Sequence, residues 1–491
     1  MRPVLITVGL LLCPALVAAQ QPAPVTLSLA DAIAVARDKN PAYRQTLNNR
    51  GPAAWGVRSA YSSLLMPTIT AAGGMSYTGP GSQTFLSSSF TQSVSTVSSF
   101  YDLGLSWQLS GTTLSQPGLA KAQQNATDAD IAGAANVLTT GITQQYLTVL
   151  QAGEQAELAR KTLARNDEFL KLAQARYSVG QATLIDVRQA QVARGQAEVA
   201  LLRAQTAVNV EKLRLFEQMG VTPPVDIAVV RLTDTFALQT PAWQLPELLT
   251  MAEQQNPALR ALRARERAAA WGVRAATSTY GPSVSVSAGW SGFTQQFTDV
   301  APIILSQQAA FASQYSTCQD NNTIRANAGL PPTNCSAFIW GASNEQALRD
   351  RNSVFPFTFT QQPFQARLTI SLPLFTNFAR PLRVSEAHAQ HEDMEEAVRA
   401  RGLAVQTEVS QAFLVLQTAY RTIGLQDTNR TAAREQLQLA TERYRVGSGT
   451  FFELLDAQVA ALRAESDYVN ANYDYHKSLA ALEAAVGRSL R

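Results

Sequence analysis

Apolar and polar positions alternate strictly in several short stretches of the chain. In Ser283–Trp290 the apolar set is Val284, Val286, Ala288 and Trp290, with small polar groups between them. Leu103, Leu105, Trp107 and Leu109 repeat the pattern, as do Leu368, Ile370, Leu372 and Leu374. A period of two predicts strands with one apolar and one polar face, placed at about residues 67–78, 101–110, 283–293 and 365–375. Most of the remaining chain follows a helical period. A helix over residues 29–65, interrupted at Pro41, and another over 245–278, interrupted at Pro257, precede the two strand pairs. After each pair comes a very long helix and a returning one, over about 119–219 and 382–486, turning at Gly180 and Gly447. Val405, Val409, Ala412, Leu416, Ala419 and Ile423 recur at spacings of four and three, as do Leu455, Val459, Leu462, Ser466, Val469 and Tyr473. That is coiled-coil packing, in rods of roughly 90–100 Å at 1.5 Å per residue.

The order helix, strand, strand, long helical hairpin occurs twice, and the sequence repeats with it. Asn40-Pro41 matches Asn256-Pro257, and Trp55-Gly-Val-Arg58 matches Trp271-Gly-Val-Arg274, at an offset of 216. Arg176-Tyr-Ser-Val-Gly180 matches Arg443-Tyr-Arg-Val-Gly447 at an offset of 267. The slip falls between Trp290 and Phe364, a Ser/Asn/Gln/Pro-rich stretch. We therefore read residues 20–244 and 245–491 as two copies of one unit, the second carrying a loop insertion at 294–364. The period is far longer than that of a solenoid.

Arg2, the apolar run Val4–Leu12 and the small residues Val17-Ala18-Ala19 predict a signal peptide over residues 1–19. Leu12 before Cys13 is not the small residue a lipid-attachment site needs, so Cys13 is read as removed with the signal. No later segment has the ~18 uncharged apolar residues of a transmembrane helix. A net charge of +3 gives no reason to expect nucleic acid as a partner. The two remaining cysteines, Cys318 and Cys335, both lie in the insertion. In an oxidising compartment they are expected to form a disulfide, contributing about 3 kcal/mol in the loop-entropy model; two free thiols are the alternative.

Strands that are apolar on one side and Ser/Thr/Gln-rich on the other fit a membrane β-barrel, with lipid outside and water within. A soluble sandwich shows the same alternation, but four strands among nearly 500 residues do not make one. Nor do four strands close a barrel, and an open edge in lipid leaves backbone groups unpaired. Several chains must then share one barrel: two would give eight strands, three would give twelve and an aqueous pore.

The duplication, the Asn-Pro start of each copy and the paired strands resemble the TolC-like outer-membrane efflux and secretion channels. So do the turns Arg176-Tyr-Ser-Val-Gly-Gln-Ala-Thr-Leu-Ile-Asp186 and Arg443-Tyr-Arg-Val-Gly-Ser-Gly-Thr-Phe-Phe-Glu-Leu-Leu-Asp-Ala-Gln458. The resemblance covers essentially the whole mature chain. It implies an α+β membrane protein assembled as a homotrimer, with a twelve-stranded barrel in outer-membrane lipid and an α-helical tunnel through the periplasm. It further implies a passive exit duct docked to a periplasmic adaptor and an inner-membrane pump, exporting small molecules. The exit duct of a type I protein secretion system, or a structural coiled-coil surface protein, are the alternatives. By the same resemblance the helical turns form the periplasmic tip and the inserted segment 294–364 is an extracellular loop. Gly180, Gly447, Arg176, Tyr177 and Arg443 would lie where an adaptor docks. Glu453 and Asp456 match the acids that ring the narrowest point, and Asp186, with Tyr444 as partner, matches an acid that holds the tip closed. The reading against this ring is that Glu453 and Asp456 are solvated acids at a helix start. The family's basic gate residue corresponds to Gly449, a departure from the pattern.

No nucleophile elbow, phosphate loop or Cys-x-x-Cys is present, so no enzyme and no cofactor are expected. His388 and His391 with Glu392 share a helix face, but the sequence places no third ligand beside them, and no metal is expected.

Overall fold

The computed structural model describes residues 26–85, 88–92 and 94–490. The signal peptide expected over 1–19, with Cys13, lies outside these. Along the first half come β1 (Thr26–Leu27), α1 (Leu29–Lys39), α2 (Pro41–Asn48), α3 (Arg50–Leu65), β2 (Thr68–Thr78), β3 (Gly81–Phe85) and β4 (Ser88–Gln92). They are followed by β5 (Thr96–Leu109), α4 (Gly111–Ser178), α5 (Leu184–Met219) and β6 (Arg231–Leu232). The second half holds α6 (Leu245–Gln255), α7 (Pro257–Thr277), β7 (Ser283–Phe297), α8 (Ala301–Asn327), α9 (Ala342–Asn352), β8 (Thr360–Gln361), β9 (Gln365–Ser371), α10 (Ala379–Val446) and α11 (Phe451–Val486). The chain forms two compact units, one from Val57–Leu119 and Trp271–His388, the other from the remaining segments.

The first unit is built on the antiparallel sheet β2-β5-β7-β9. Its register explains the alternation in the sequence. Ile69 pairs with Leu105 and Ala71 with Leu103. Leu103 pairs in turn with Trp290, Leu105 with Ala288 and Trp107 with Val286. Val286 pairs with Leu368 and Val284 with Ile370. Directly opposed residues share a face, so these side chains make one continuous apolar surface. The other face collects Thr68, Thr70, Ser106, Gln108, Ser285, Ser287, Arg367 and Thr369. Much of the apolar surface is uncovered in the single chain: Ile69, Leu368 and Ile370 are each at least 65% exposed. Among the described residues, the outer strands β2 and β9 each pair on one side only.

Two expectations for this unit need correction. The inserted segment 294–364 is not a loop. Strand β7 runs on to Phe297, and the 27-residue helix α8 and the 11-residue helix α9 follow. The average composition hid an Ala/Gln-rich stretch without glycine or proline between Ile303 and Ala328, which favours helix. Cys318 of α8 is bonded to Cys335, and Phe311 packs edge-on against Trp340 at 5.2 Å. The four strands are also not alone: β3 and β4 form a hairpin between β2 and β5, and the short β8 pairs with β7.

The other unit is mainly helical, holding α4 from Ala120 and α10 from Ala389 onward, with the short parallel pair β1 and β6. α4 and α10 are 68 residues each, about 100 Å of rise, and α5 and α11 are 36 residues each. Its cores recur in parallel. Ala32 and Ala36 of α1 pack with Ile142, Tyr146 and Val149 of α4 and Leu215 and Met219 of α5. Leu248 and Ala252 of α6 pack with Val409, Phe413 and Leu416 of α10 and Leu482 and Val486 of α11. The Asn-Pro steps have a clear use. Asn40 caps α2 through its side-chain oxygen, with Pro41 at the first position, where no N–H is needed. Its amide also donates to the Gln218 carbonyl at 2.7 Å, closing the end of α5. Asn256 does the same for Leu259 N and for the Ala485 carbonyl of α11, at 3.0 Å.

Candidate functional site

Each long hairpin ends in a turn of the same construction. Gly180 and Gly447 adopt φ values of 76° and 84°, in the left-handed region where glycine carries no Cβ penalty. The backbone closes through Gln181 N to Arg176 O at 2.8 Å and Ser448 N to Arg443 O at 2.9 Å, which satisfies the last carbonyls of α4 and α10. The returning helices start at Thr183 and Thr450, whose hydroxyls accept from Asp186 N and Glu453 N. Both turns are held by one core: Phe169 and Ala173 of α4, Val187 and Ala190 of α5, Leu437 and Tyr444 of α10, and Phe451, Leu454, Ala457 and Ala461 of α11.

The residues expected at the gate and the docking tip divide within this frame. Glu453 and Asp456 are both exposed. Glu453 Oε2 lies 3.7 Å from Arg443 Nη1, an exposed pair that contributes little to stability in a single chain. A cation thus stands near Glu453 although the family's basic position is Gly449. Asp186 and Tyr444 are not hydrogen-bonded to each other in this structure. The Asp186 carboxylate accepts from Thr183 N at 2.8 Å in a capping box, a local bond that occupies it. The Tyr444 hydroxyl is buried without a hydrogen-bond partner among the described residues. Burial pushes its phenol above the usual value, the Asp186 charge adds to that, and Arg176 opposes it.

Arg176 is not a free docking cation. Its guanidinium donates to the Tyr444 carbonyl of one turn and, at 2.9 Å, to the Gln181 carbonyl of the other. It also lies 4.6 Å from the centre of the Tyr444 ring. The side chain fastens the two tips together; sequence alone could not show this, because Tyr444 lies 268 positions away. Tyr177 and Arg443 remain exposed beside it.

Behind the tips, α4, α5 and α11 border an apolar groove of about 1190 Å³, lined by Leu184, Ile185, Val192, Phe452, Val459 and Leu462 among others. Phe452 is 74% exposed and Val459 64%, which leaves a large apolar surface uncovered in one chain. His388 and Glu392, the candidates noted beside His391, are exposed and make no cluster with it. Glu266 of α7 and Glu395 approach His391 instead.

A sheet with one uncovered apolar face and two long helical hairpins with matching turns fit the fold of the TolC-like channels. The chain belongs to the outer membrane efflux protein family, whose model matches residues 32–221 and 337–488. It is 23% identical over 335 residues to the outer membrane efflux protein BepC of Brucella suis, covering 67% of this chain and 60% of that protein. It is 24% identical over 346 residues to the pyoverdine export outer membrane protein OpmQ of Pseudomonas putida, covering 70% and 61%. The chain thus spans about three fifths of the length of the curated relatives it matches. Its fold is similar to that of the outer membrane protein VceC of Vibrio cholerae, with a TM-score of 0.68, 18% identity, and coverage of 94% of this chain and 97% of that one.

Proposed function

We propose that three copies of this chain form a passive exit duct for small molecules across the outer membrane, without catalysis. Each copy would contribute the four strands β2, β5, β7 and β9 to one twelve-stranded barrel and its helical hairpins to a periplasmic tunnel. The observation that carries this is the sheet: one face is apolar and uncovered, and the edges of β2 and β9 have no strand partner among the described residues. Closing β9 of one copy on β2 of the next satisfies the edge groups, and lipid covers the apolar face. The uncovered groove along α5 and α11 gives neighbouring copies a second surface to bury. The parallel cores, and the matched contacts of Asn40 and Asn256, support an internal duplication. They hold the offsets of 216 and 267 found in the sequence. BepC is named as an outer membrane efflux protein and OpmQ as a pyoverdine export protein, which favours efflux of small molecules; in this reading an inner-membrane pump drives it through a periplasmic adaptor. The exposed tip around Tyr177 and Arg443 is the adaptor's docking surface in this reading.

In the trimer, Glu453 and Asp456 of three chains form rings at the tunnel entrance, where their field concentrates cations. Replacing both with Ala is expected to weaken cation selectivity and relieve block by multivalent cations in planar-bilayer recordings. Both acids are solvated, so stability should change by no more than about 0.5 kcal/mol. Unchanged reversal potentials and unchanged block would put these acids on the outside of the tip.

A further inference from the structure

Away from the tips, three ligand-type side chains converge between α7 and α10. His391 Nε2 lies 3.2 Å from Glu266 Oε1, and Nδ1 lies 3.7 Å from Glu395 Oε1. One ring nitrogen and one oxygen from each glutamate fall within 4.8 Å of one another. His391 and Glu266 are partly buried and Glu395 is exposed.

The other half of the chain supplies an independent observation. Gly220 sits against Asn40 just as Gly487 sits against Asn256, so short helices correspond at 216 and long hairpins at 267. By these offsets Glu266 stands where Arg50 stands, His391 where Gln124 stands, and Glu395 where Asp128 stands. Arg50 Nε and Asp128 Oδ1 form an ion pair at 3.6 Å, joining α3 to α4 through a cation that the protein itself provides. At the matching place between α7 and α10 the arginine is replaced by a carboxylate. Two carboxylates and an imidazole then face one another, a group that a bound cation would hold together.

We propose that Glu266, His391 and Glu395 bind one divalent first-row transition-metal ion, which joins α7 to α10. The donor set selects the class of ion: an imidazole nitrogen with two carboxylates suits Zn²⁺, Co²⁺, Ni²⁺ or Cu²⁺, whereas Mg²⁺ and Ca²⁺ take all-oxygen shells. Bonds of about 2.0–2.1 Å in a tetrahedral site put neighbouring ligand atoms about 3.3 Å apart. His391 and Glu266 already stand at nearly that separation. Glu395 is exposed and one helical turn beyond His391; its carboxylate faces Nδ1, so it would turn toward the Nε2 side to complete the shell, with water in the fourth position. The register argument rests on the duplication proposed above. Metal binding is measured without reference to conduction, so either reading can fail alone.

The test is calorimetric titration of Zn²⁺ into the metal-stripped, full-length protein in detergent, with Co²⁺ absorption as a signature of the coordination. One ion per chain is expected, with affinity reduced at least tenfold by Glu266→Gln and by His391→Gln, because each removes one of three protein ligands. Glu266→Arg copies the first-half pair onto Glu395. It should abolish Zn²⁺ and Co²⁺ binding while leaving circular dichroism and the unfolding temperature at the values of the metal-free wild type, which excludes misfolding as the cause. Absence of binding in the wild type, or binding undiminished in all three variants, overturns the proposal. His391 would then stand as an imidazole held between two carboxylates without a metal.

Discussion

Leu103→Arg should abolish membrane assembly, while Ser285→Arg on the opposite face of the same sheet should permit it. Leu103 lies on a central strand, between Ala71 and Trp290 on the apolar face. If that face meets lipid, each arginine near the bilayer midplane costs about 2–4 kcal/mol, and a trimer carries three of them. The total is comparable to the whole stability of an ordinary domain. Ser285 lies between Gln108 and Thr369 on the polar face, where a long cationic side chain can reach water in the lumen. The comparison is made by extracting membranes and counting heat-resistant oligomer for each variant. Equal assembly of the two would mean that the apolar face does not face lipid.

Gly220→Ala should lower the unfolding temperature far more than Gly180→Ala, although the two glycines have nearly the same backbone conformation, with φ of 73° and 76°. The left-handed conformation alone costs a non-glycine residue about 1–2 kcal/mol. At Gly180 nothing lies within 4 Å of an added Cβ, so that cost is the whole effect. At Gly220 the same atom would stand 2.7 Å from the Lys39 carbonyl oxygen and 2.8 Å from Asn40 Cα. Those are backbone atoms, and moving them disturbs the bond from Asn40 to the Gln218 carbonyl. Overpacking of this kind adds about 1–3 kcal/mol. Thermal unfolding followed by circular dichroism gives the ranking. Equal shifts at both positions would show that the contact between α5 and the α1–α2 junction is slack.

The elements of this chain were legible wherever one physical signal governed them. Alternation located strands close to β2, β5, β7 and β9, since one face of each is apolar and the other polar. The boundaries were less legible. β5 begins at Thr96 because Val97-Ser98-Ser99 is paired despite its broken alternation, and β9 stops at Ser371, just before Leu372-Pro373, where a missing N–H ends the ladder. α4 starts at Gly111 in spite of Pro117, which falls in the second turn and leaves only the Thr113 carbonyl without its usual donor. The turns at Gly180 and Gly447 could be read from glycine chemistry. The roles of Arg176 and His391 could not, because each depends on a partner brought close only by helix packing, Tyr444 for one and Glu266 for the other.

In the proposed channel, separate copies of the chain complete one another's sheet. Native mass spectrometry of the protein extracted from membranes in mild detergent tests it most directly. The account predicts a single species of three chains, dissociating together with loss of strand signal in circular dichroism. A stable monomer that keeps its strand content would contradict it.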